Sequence, residues 1–472
     1  SPVPATAANV IAAAKDCVDL PTAPKIEAVI NAQLLSLADD HLSFRPDAPI
    51  TVREMATAVA KALYGADLKI DHLQKAIDAG LLKASDLTDE PITATQVETL
   101  FAFLQDMQVV SVFATADIHG NYIPYTSSDG KFEIGSVARI KTVMNEVEAR
   151  LGEDHVIYVD GGDSPYNTTL ANVSMGNVSV DALSALGLDA TVLGNHDFDY
   201  SLENLLRLRD RAQYAMLSAN TKFKEGKVYA GEKEYPFGDY ITKEAAGLKF
   251  GIFGVTDDQS AATTLYSNTY DIEWDDDLTT AKTLVSRLKD EESCDVVIAL
   301  SHVHSKNTQL ITDNPAVDIS IGGGNDIAGR PTIINGTQYL INPSKHGEAL
   351  NQINVVVLNG KMTGVIYSQI FLTDAYAEDP TVKALVDGYN DEVAASLEKV
   401  RGQNSPIANL VTDALLDFFA IYEPDICLVN GGGIRASIPE GPVTLKSCNS
   451  VLPFDNDMML VEASGATILA AL

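Results

Sequence analysis

From Val109 onward the chain alternates short apolar runs with polar or glycine-containing segments, and helical stretches lie between them. Val109–Ala114, Val156–Val159, Ala190–Leu193, Phe250–Val255, Val296–Leu300 and Ile319–Ile321 are β-rich runs of strand length. That alternation predicts an α/β domain with buried strands and with ligands at their C-terminal ends. Residues 339–372 add further strand-like segments, and Thr381–Val400 reads as a charged connecting helix. Residues 1–107 are different, helical in pattern with an internal echo. Pro49-Ile50-Thr51-Val52-Arg53-Glu54 precedes an apolar helix to Leu63, and Pro91-Ile92-Thr93-Ala94-Thr95-Gln96 precedes another to Leu104. Each sets a Thr just before the helix with Glu or Gln three residues on, a capping-box arrangement.

A chain of 472 residues is too long for one core, and three domains are expected. Hydrophobic residues at 46% and charged residues at 21% are ordinary for globular protein and exclude wholesale disorder. The formal charge of −32 and pI near 4.4 argue against nucleic acid or anionic membranes as partners, and suit a solvated surface that holds divalent cations loosely. Cys17, Cys294, Cys427 and Cys448 are too scattered for a disulfide framework or a Cys-type zinc site. Cys427 and Cys448 either pair or stay reduced. No apolar run reaches transmembrane length. The start at Ser1-Pro2-Val3-Pro4 is that of a processed or trimmed secreted protein, so an extracellular, secreted or cell-surface location is expected. Sequons fall at Asn167, Asn172, Asn177 and Asn335.

Five segments carry the candidate chemistry: Asp117-Ile118-His119, Gly162-Asp163, Gly194-Asn195-His196-Asp197, Ser301-His302 and Gly322-Gly323-Gly324-Asn325-Asp326. Their order and strand-end placement resemble the calcineurin-like metallophosphoesterases, specifically the secreted 5'-nucleotidase branch. The resemblance implies an α/β/β/α sandwich and a two-metal phosphoester hydrolase, using Mn, Zn, Fe or Mg. Two such ions lower the pKa of a bridging water and neutralise the phosphoryl oxygens. By resemblance Asp117 and His119 bind the first ion, Asp163 bridges, and Asn195 and His302 bind the second. His196 and Asp199 match the catalytic dyad, the imidazole stabilising the phosphoryl transition state and the carboxylate orienting it. The family closes the series with G-H-x-H, where this chain has Gly324 and Asp326. Asp326 can ligate through oxygen. His304, in Ser301-His302-Val303-His304, is a second replacement, since alternation along an extended segment would keep it on the face of His302. His346, in Ser344-Lys345-His346-Gly347, is a remoter one.

Asn409-Leu410-Val411-Thr412-Asp413-Ala414, Asn430-Gly431-Gly432-Gly433-Ile434-Arg435 and Leu452-Pro453-Phe454-Asp455-Asn456 resemble the C-terminal substrate domain of the same family. The resemblance implies a substrate site of Asn430, Gly432, Gly433 and Arg435, where backbone amides and a guanidinium suit an anionic or nucleoside ligand, and Phe454, which stacks on a base. The family's phosphate-approaching arginine and its following glutamate align with Gln403 and Asn404, and Arg401 is displaced. The stop at Leu472 is short of a full family domain, which raises self-association as the source of the missing half. In the N-terminal part, Phe44-Arg45-Pro46-Asp47 and the Ile-Thr-x-x-Glu start resemble S-layer homology repeats, which implies a cell-wall polymer as partner. The expected organisation is an S-layer-homology-like helical domain over 1–107 and a metallophosphoesterase domain over 108–372. A linker helix over 373–402 and an apparently truncated 5'-nucleotidase C-terminal domain over 403–472 complete it. Two functions fit: an extracellular metal-dependent phosphoesterase acting on nucleotides or related phosphoesters with an eroded metal site, or an inactive relative kept for cell-surface binding or assembly.

Overall fold

The computed structural model describes residues 49–64, 71–78, 80–127, 133–264, 266–324, 331–402, 406–430, 433–434, 448, 451–452 and 458–471. Its centre is a pair of six-stranded sheets. The strands in chain order are β1 (Gln108–Thr115), β2 (Val156–Asp160), β3 (Ala190–Val192), β4 (Ala215–Leu217), β5 (Tyr240–Ala245) and β6 (Leu248–Thr256). They continue as β7 (Val296–His302), β8 (Ile319–Gly322), β9 (Thr332–Ile334), β10 (Gln338–Ile341), β11 (Ala349–Leu358) and β12 (Lys361–Phe371). One sheet runs β12-β11-β1-β2-β3-β4 and the other β9-β10-β8-β7-β6-β5. Parallel pairing joins β1 to β4 in the first sheet, and β6, β7, β8 and β10 in the second. The C-terminal ends of the central strands of both sheets therefore meet along one edge.

Strand alternation makes the layers. Val112, Ala114, Ile157 and Val159 of the first sheet pack between the sheets against Ile252, Ile298, Leu300 and Ile321 of the second. The alternate residues Phe113 and Tyr158 turn outward onto Ile140 and Met144 of helix Val137–Leu151 and Leu183 of helix Asn177–Leu186. Phe253, Val297 and Ala299 do the same against Leu284, Leu288, Leu310 and Ile311. Both faces of each central strand are thus apolar, and each large side chain so buried contributes about 1.5–3 kcal/mol. The result is the expected α/β/β/α sandwich. The connecting helix is longer than anticipated, Pro380–Gly402, and its first turns bury Val382 and Val386 in the first helical layer.

Both expected capping boxes form. Glu54 N–H donates to Thr51 Oγ1 (3.1 Å) while Thr51 N–H donates to Glu54 Oε2 (2.8 Å). Gln96 N–H donates to Thr93 Oγ1 (3.3 Å) and Thr93 N–H to Gln96 Oε1 (2.9 Å). Helix Val52–Tyr64 matches expectation, but its echo stops at Leu100, where Phe101 turns its ring into the core, and a 3-10 turn over Ala102–Gln105 follows. The lead-ins of the two repeats pair with each other through an antiparallel Thr51–Pro91 bridge. Ala56, Ala60 and Phe101 then close onto Val356 and Ile366 of the β11–β12 hairpin. Phe44-Arg45-Pro46-Asp47 lies outside the described residues. After the long helix, helix Pro406–Phe418 joins a small cluster of Val411, Ile434 and Val451, with Phe418, Ile421 and Met459 exposed. Cys294, Cys427 and Cys448 are free thiols, so the Cys427–Cys448 pairing is not formed.

Candidate metal centre

The loops leaving β1, β2, β3, β7 and β8 converge at the shared edge. Backbone bonds zip the first two together: Asp117 N–H donates to Gly162 O (2.8 Å), His119 N–H to Asp163 O (3.0 Å) and Gly120 N–H to Ser164 O (2.9 Å). Holding side chains at such close quarters forces unusual backbone. Asp117, His119, Asp163, His304 and His346 all have φ between 49° and 59°, the left-handed region that non-glycine residues avoid. Gly194 is required for a different reason, because a Cβ there would stand 2.2 Å from Asp163 Oδ1.

Asp117, Asp163 and His302 are buried and offer ligand atoms within 4.8 Å of one another. His119 Nε2 is 3.7 Å from Asp117 Oδ1. His302 Nδ1 donates to Gly161 O (2.7 Å); a carbonyl only accepts, so Nδ1 carries a proton, and Nε2 faces Asp163 Oδ2 at 3.2 Å, outside hydrogen-bond geometry. Asn195 Nδ2 reaches Thr263 O (3.4 Å), leaving the buried Oδ1 without a hydrogen-bond partner. Beside this set, His196 Nδ1 bonds Asp199 Oδ2 at 2.7 Å, and the His196 and His119 rings are 5.4 Å apart.

The electrostatics are those of a site short of positive charge. Burial drives His119 down to about 4, with His196 and His346 adding to it, so its imidazole is neutral and free to ligate. Burial raises Asp117. Burial also works against the charges of Asp163 and His302, but their mutual attraction outweighs it, lowering the first and raising the second. The hydrogen bond that His196 donates to Asp199 holds the imidazole above its usual range. A buried set of two carboxylates, imidazoles and an amide oxygen, with Asn195 Oδ1 left unpartnered, fits divalent first-row or magnesium-like ions, which would displace a proton from His302 Nε2.

Of the sequence-predicted residues, Asp117, His119, Asp163, Asn195, His196, Asp199, His302 and His304 are brought together. His304 arrives by a route other than the expected alternation. The strand ends at His302, Val303 is buried, and His304 opens a 3-10 turn in left-handed backbone. His346 also reaches the site, its ring 5.8 Å from that of His119. Asp326 lies outside the described residues, as do Gly432, Arg435, Phe454, Gln403 and Asn404. Asn430 and Gly433 close a turn, Gly433 N–H donating to Asn430 O (2.8 Å). Sequence reading gave no role to four supporting residues. Asp197 accepts from Gly194 N–H (2.8 Å) and Asp163 N–H (2.9 Å), bracing two ligand loops. Thr264 Oγ1 donates to Asp199 Oδ1 (3.0 Å), and Asn268 to Asp199 O (2.8 Å). Tyr166 stacks parallel to His196 at 5.9 Å. No local motif marks Thr264 and Asn268, which lie 65 and 69 residues from Asp199.

The calcineurin-like phosphoesterase family model matches residues 110–327, and that of the 5'-nucleotidase C-terminal domain matches residues 383–472. The chain is 28% identical to the 5'-nucleotidase of Homo sapiens over 422 residues, 77% of this chain and 71% of that protein. It is 26% identical to that of Bos taurus over the same shares. Among solved structures, the 5'-nucleotidase precursor of Thermus thermophilus superposes with a TM-score of 0.53 at 23% identity, covering 73% of this chain and 74% of that one.

Proposed function

We propose that this chain, a homologue of the 5'-nucleotidases carrying a calcineurin-like phosphoesterase domain and a 5'-nucleotidase C-terminal domain, is a metal-dependent hydrolase of nucleotides or related phosphomonoesters. The observation that carries this reading is the convergence, on one sandwich edge, of Asp117, His119, Asp163, Asn195 and His302 with a hydrogen-bonded His196–Asp199 pair beside them. These five residues would hold the ions, which supply a water nucleophile at neutral pH and charge neutralisation at the phosphoryl group. The chain's own part is positional. Gly161 O and Asp197 fix the donors, and Asp199 orients His196 and keeps it inclined to carry a proton toward a phosphoryl oxygen. Asn430, Gly432, Gly433, Arg435 and Phe454 are the residues assigned to nucleoside recognition, supported by the match of the C-terminal domain. An extracellular setting is supported by the acidic composition, and no helix among the described residues is long and apolar enough to cross a membrane. The paired N-terminal repeats are assigned to a surface polymer on their motif alone.

The test is phosphate release from AMP by protein loaded with Mn²⁺ or Zn²⁺, against chelator-treated protein and His196→Gln. Loading should switch activity on, and His196→Gln should lower kcat about 10²–10³-fold with metal content unchanged. Wild-type protein that takes up neither metal overturns the proposal. It would favour the binding or assembly reading, to which the missing side chain at Gly324 otherwise points.

A further inference from the structure

His304 repeats the arrangement seen at His302. Its Nδ1 lies 3.0 Å from Gly324 O, so the ring proton sits on Nδ1, and its Nε2 is buried without a hydrogen-bond partner. The two rings pack edge to face with centroids 5.2 Å apart. A buried acceptor with nothing to accept from is costly unless something else occupies its lone pair. A side chain at residue 324 would start in the same place. A Cβ on Gly324 would lie 2.3 Å from His304 Nδ1, 2.6 Å from its Cε1 and 3.0 Å from His302 Nε2. The His304 ring therefore fills the space that a residue-324 side chain would take, next to the nitrogen of His302 that faces Asp163. Gly324 is also fixed from the other side, its N–H donating to Asp117 Oδ1 and Oδ2 (3.2 and 3.1 Å). The stem of His304 is anchored too. Lys306, two residues on, binds Asp257 and Asp258 at 3.1 and 3.0 Å, and Asp257 N–H donates to His302 O (2.9 Å).

We infer that His304 Nε2 ligates the same ion as His302, supplying from the end of β7 the imidazole that Gly324 lacks, and that Gly324 is glycine in order to admit it. This rests on the metal-centre reading above. The experiment is metal stoichiometry and affinity for Mn²⁺ and Zn²⁺, by elemental mass spectrometry and titration calorimetry, on wild type, His304→Ala and Gly324→Ala. Chelator-treated samples are compared by near-ultraviolet circular dichroism to confirm that folding is unchanged. Wild type should hold two ions. His304→Ala should hold one, with the second weakened by at least about 100-fold, and free imidazole should restore it by occupying the vacated space. Gly324→Ala should lose the second ion likewise, because its Cβ displaces the His304 ring. Two ions bound with wild-type affinity by His304→Ala would overturn the ligand assignment and leave the proposed function standing. A metal-free wild type would overturn both. A second ion lost in His304→Ala but indifferent to imidazole would reduce His304 to a packing role and overturn the inference.

Discussion

Lys306→Met removes an ammonium that faces three carboxylates behind the metal edge. Nζ lies 3.1 Å from Asp257 Oδ1 and 3.0 Å from Asp258 Oδ1, and it also contacts Asp277 Oδ2. The lysine side chain is 26% exposed and the carboxylates 11%, 20% and 1%. Removing one partner of a fully buried pair costs about 3–5 kcal/mol, whereas exposed pairs are worth about 0–1 kcal/mol. With one wet side, the cluster should lose about 2–3 kcal/mol, since methionine keeps most of the aliphatic stem and little packing goes with the charge. The assay is the urea midpoint of the metal-free protein at pH 7 and below. Burial already lifts Asp277 above the ordinary carboxylate range, and Lys306 pulls it back. Once the ammonium is gone, the acids relax by taking up protons. The deficit should therefore shrink toward about pH 4, where carboxylates ordinarily titrate. Because Lys306 anchors the turn carrying His304, the variant should also bind its second ion more weakly. A loss below about 0.5 kcal/mol at pH 7, or one independent of pH, would refute the reasoning.

Two further outcomes follow from the same geometry. Thr264→Val keeps the shape but removes the donor to Asp199, so kcat should fall about tenfold, the worth of one charge-assisted hydrogen bond, with metal content and KM unchanged; an unchanged kcat would mean that the His196–Asp199 pair is held by Asn268 alone. Burial pushes Asp160, which accepts from Ser164, Gly162 and Thr115, up to about 8, with Asp197 and Asp117 adding to the rise. A raised folded-state pKa means that bound-proton stabilisation is complete below about 4 and fades as pH climbs through about 8. Asp160→Asn mimics the protonated acid, so in the metal-free protein its stability advantage should widen between about pH 5 and 8. Parallel urea-midpoint curves for variant and wild type would count against a protonated Asp160.

Much of this protein is written locally. Periodicity alone placed β1, β2, β3, β6, β7 and β8 to within a residue or two at most ends, because a strand buried on both faces must be a short uninterrupted apolar run. Thr51 with Glu54, and Thr93 with Gln96, announced their helix starts because a capping box spans only four residues. The candidate ligand motifs stood out for the same reason, each lying at or just past a strand end. The edge strands β4 and β9 were not, at three residues each, nor was β5, whose half-exposed polar face carries Thr242 and Glu244.

Tertiary structure alone decided what depends on the meeting of distant segments. Sheet order brings β8 beside β7, so the space beside the Cα of Gly324 is filled by the imidazole of His304. Sheet order likewise sets Gly161 O against His302 across 141 residues, and the loop at Thr264 against Asp199 across 65. A one-dimensional pattern records which side of a segment is buried. It holds no record of what that side will touch, because contact is fixed only when separate strands choose their neighbours.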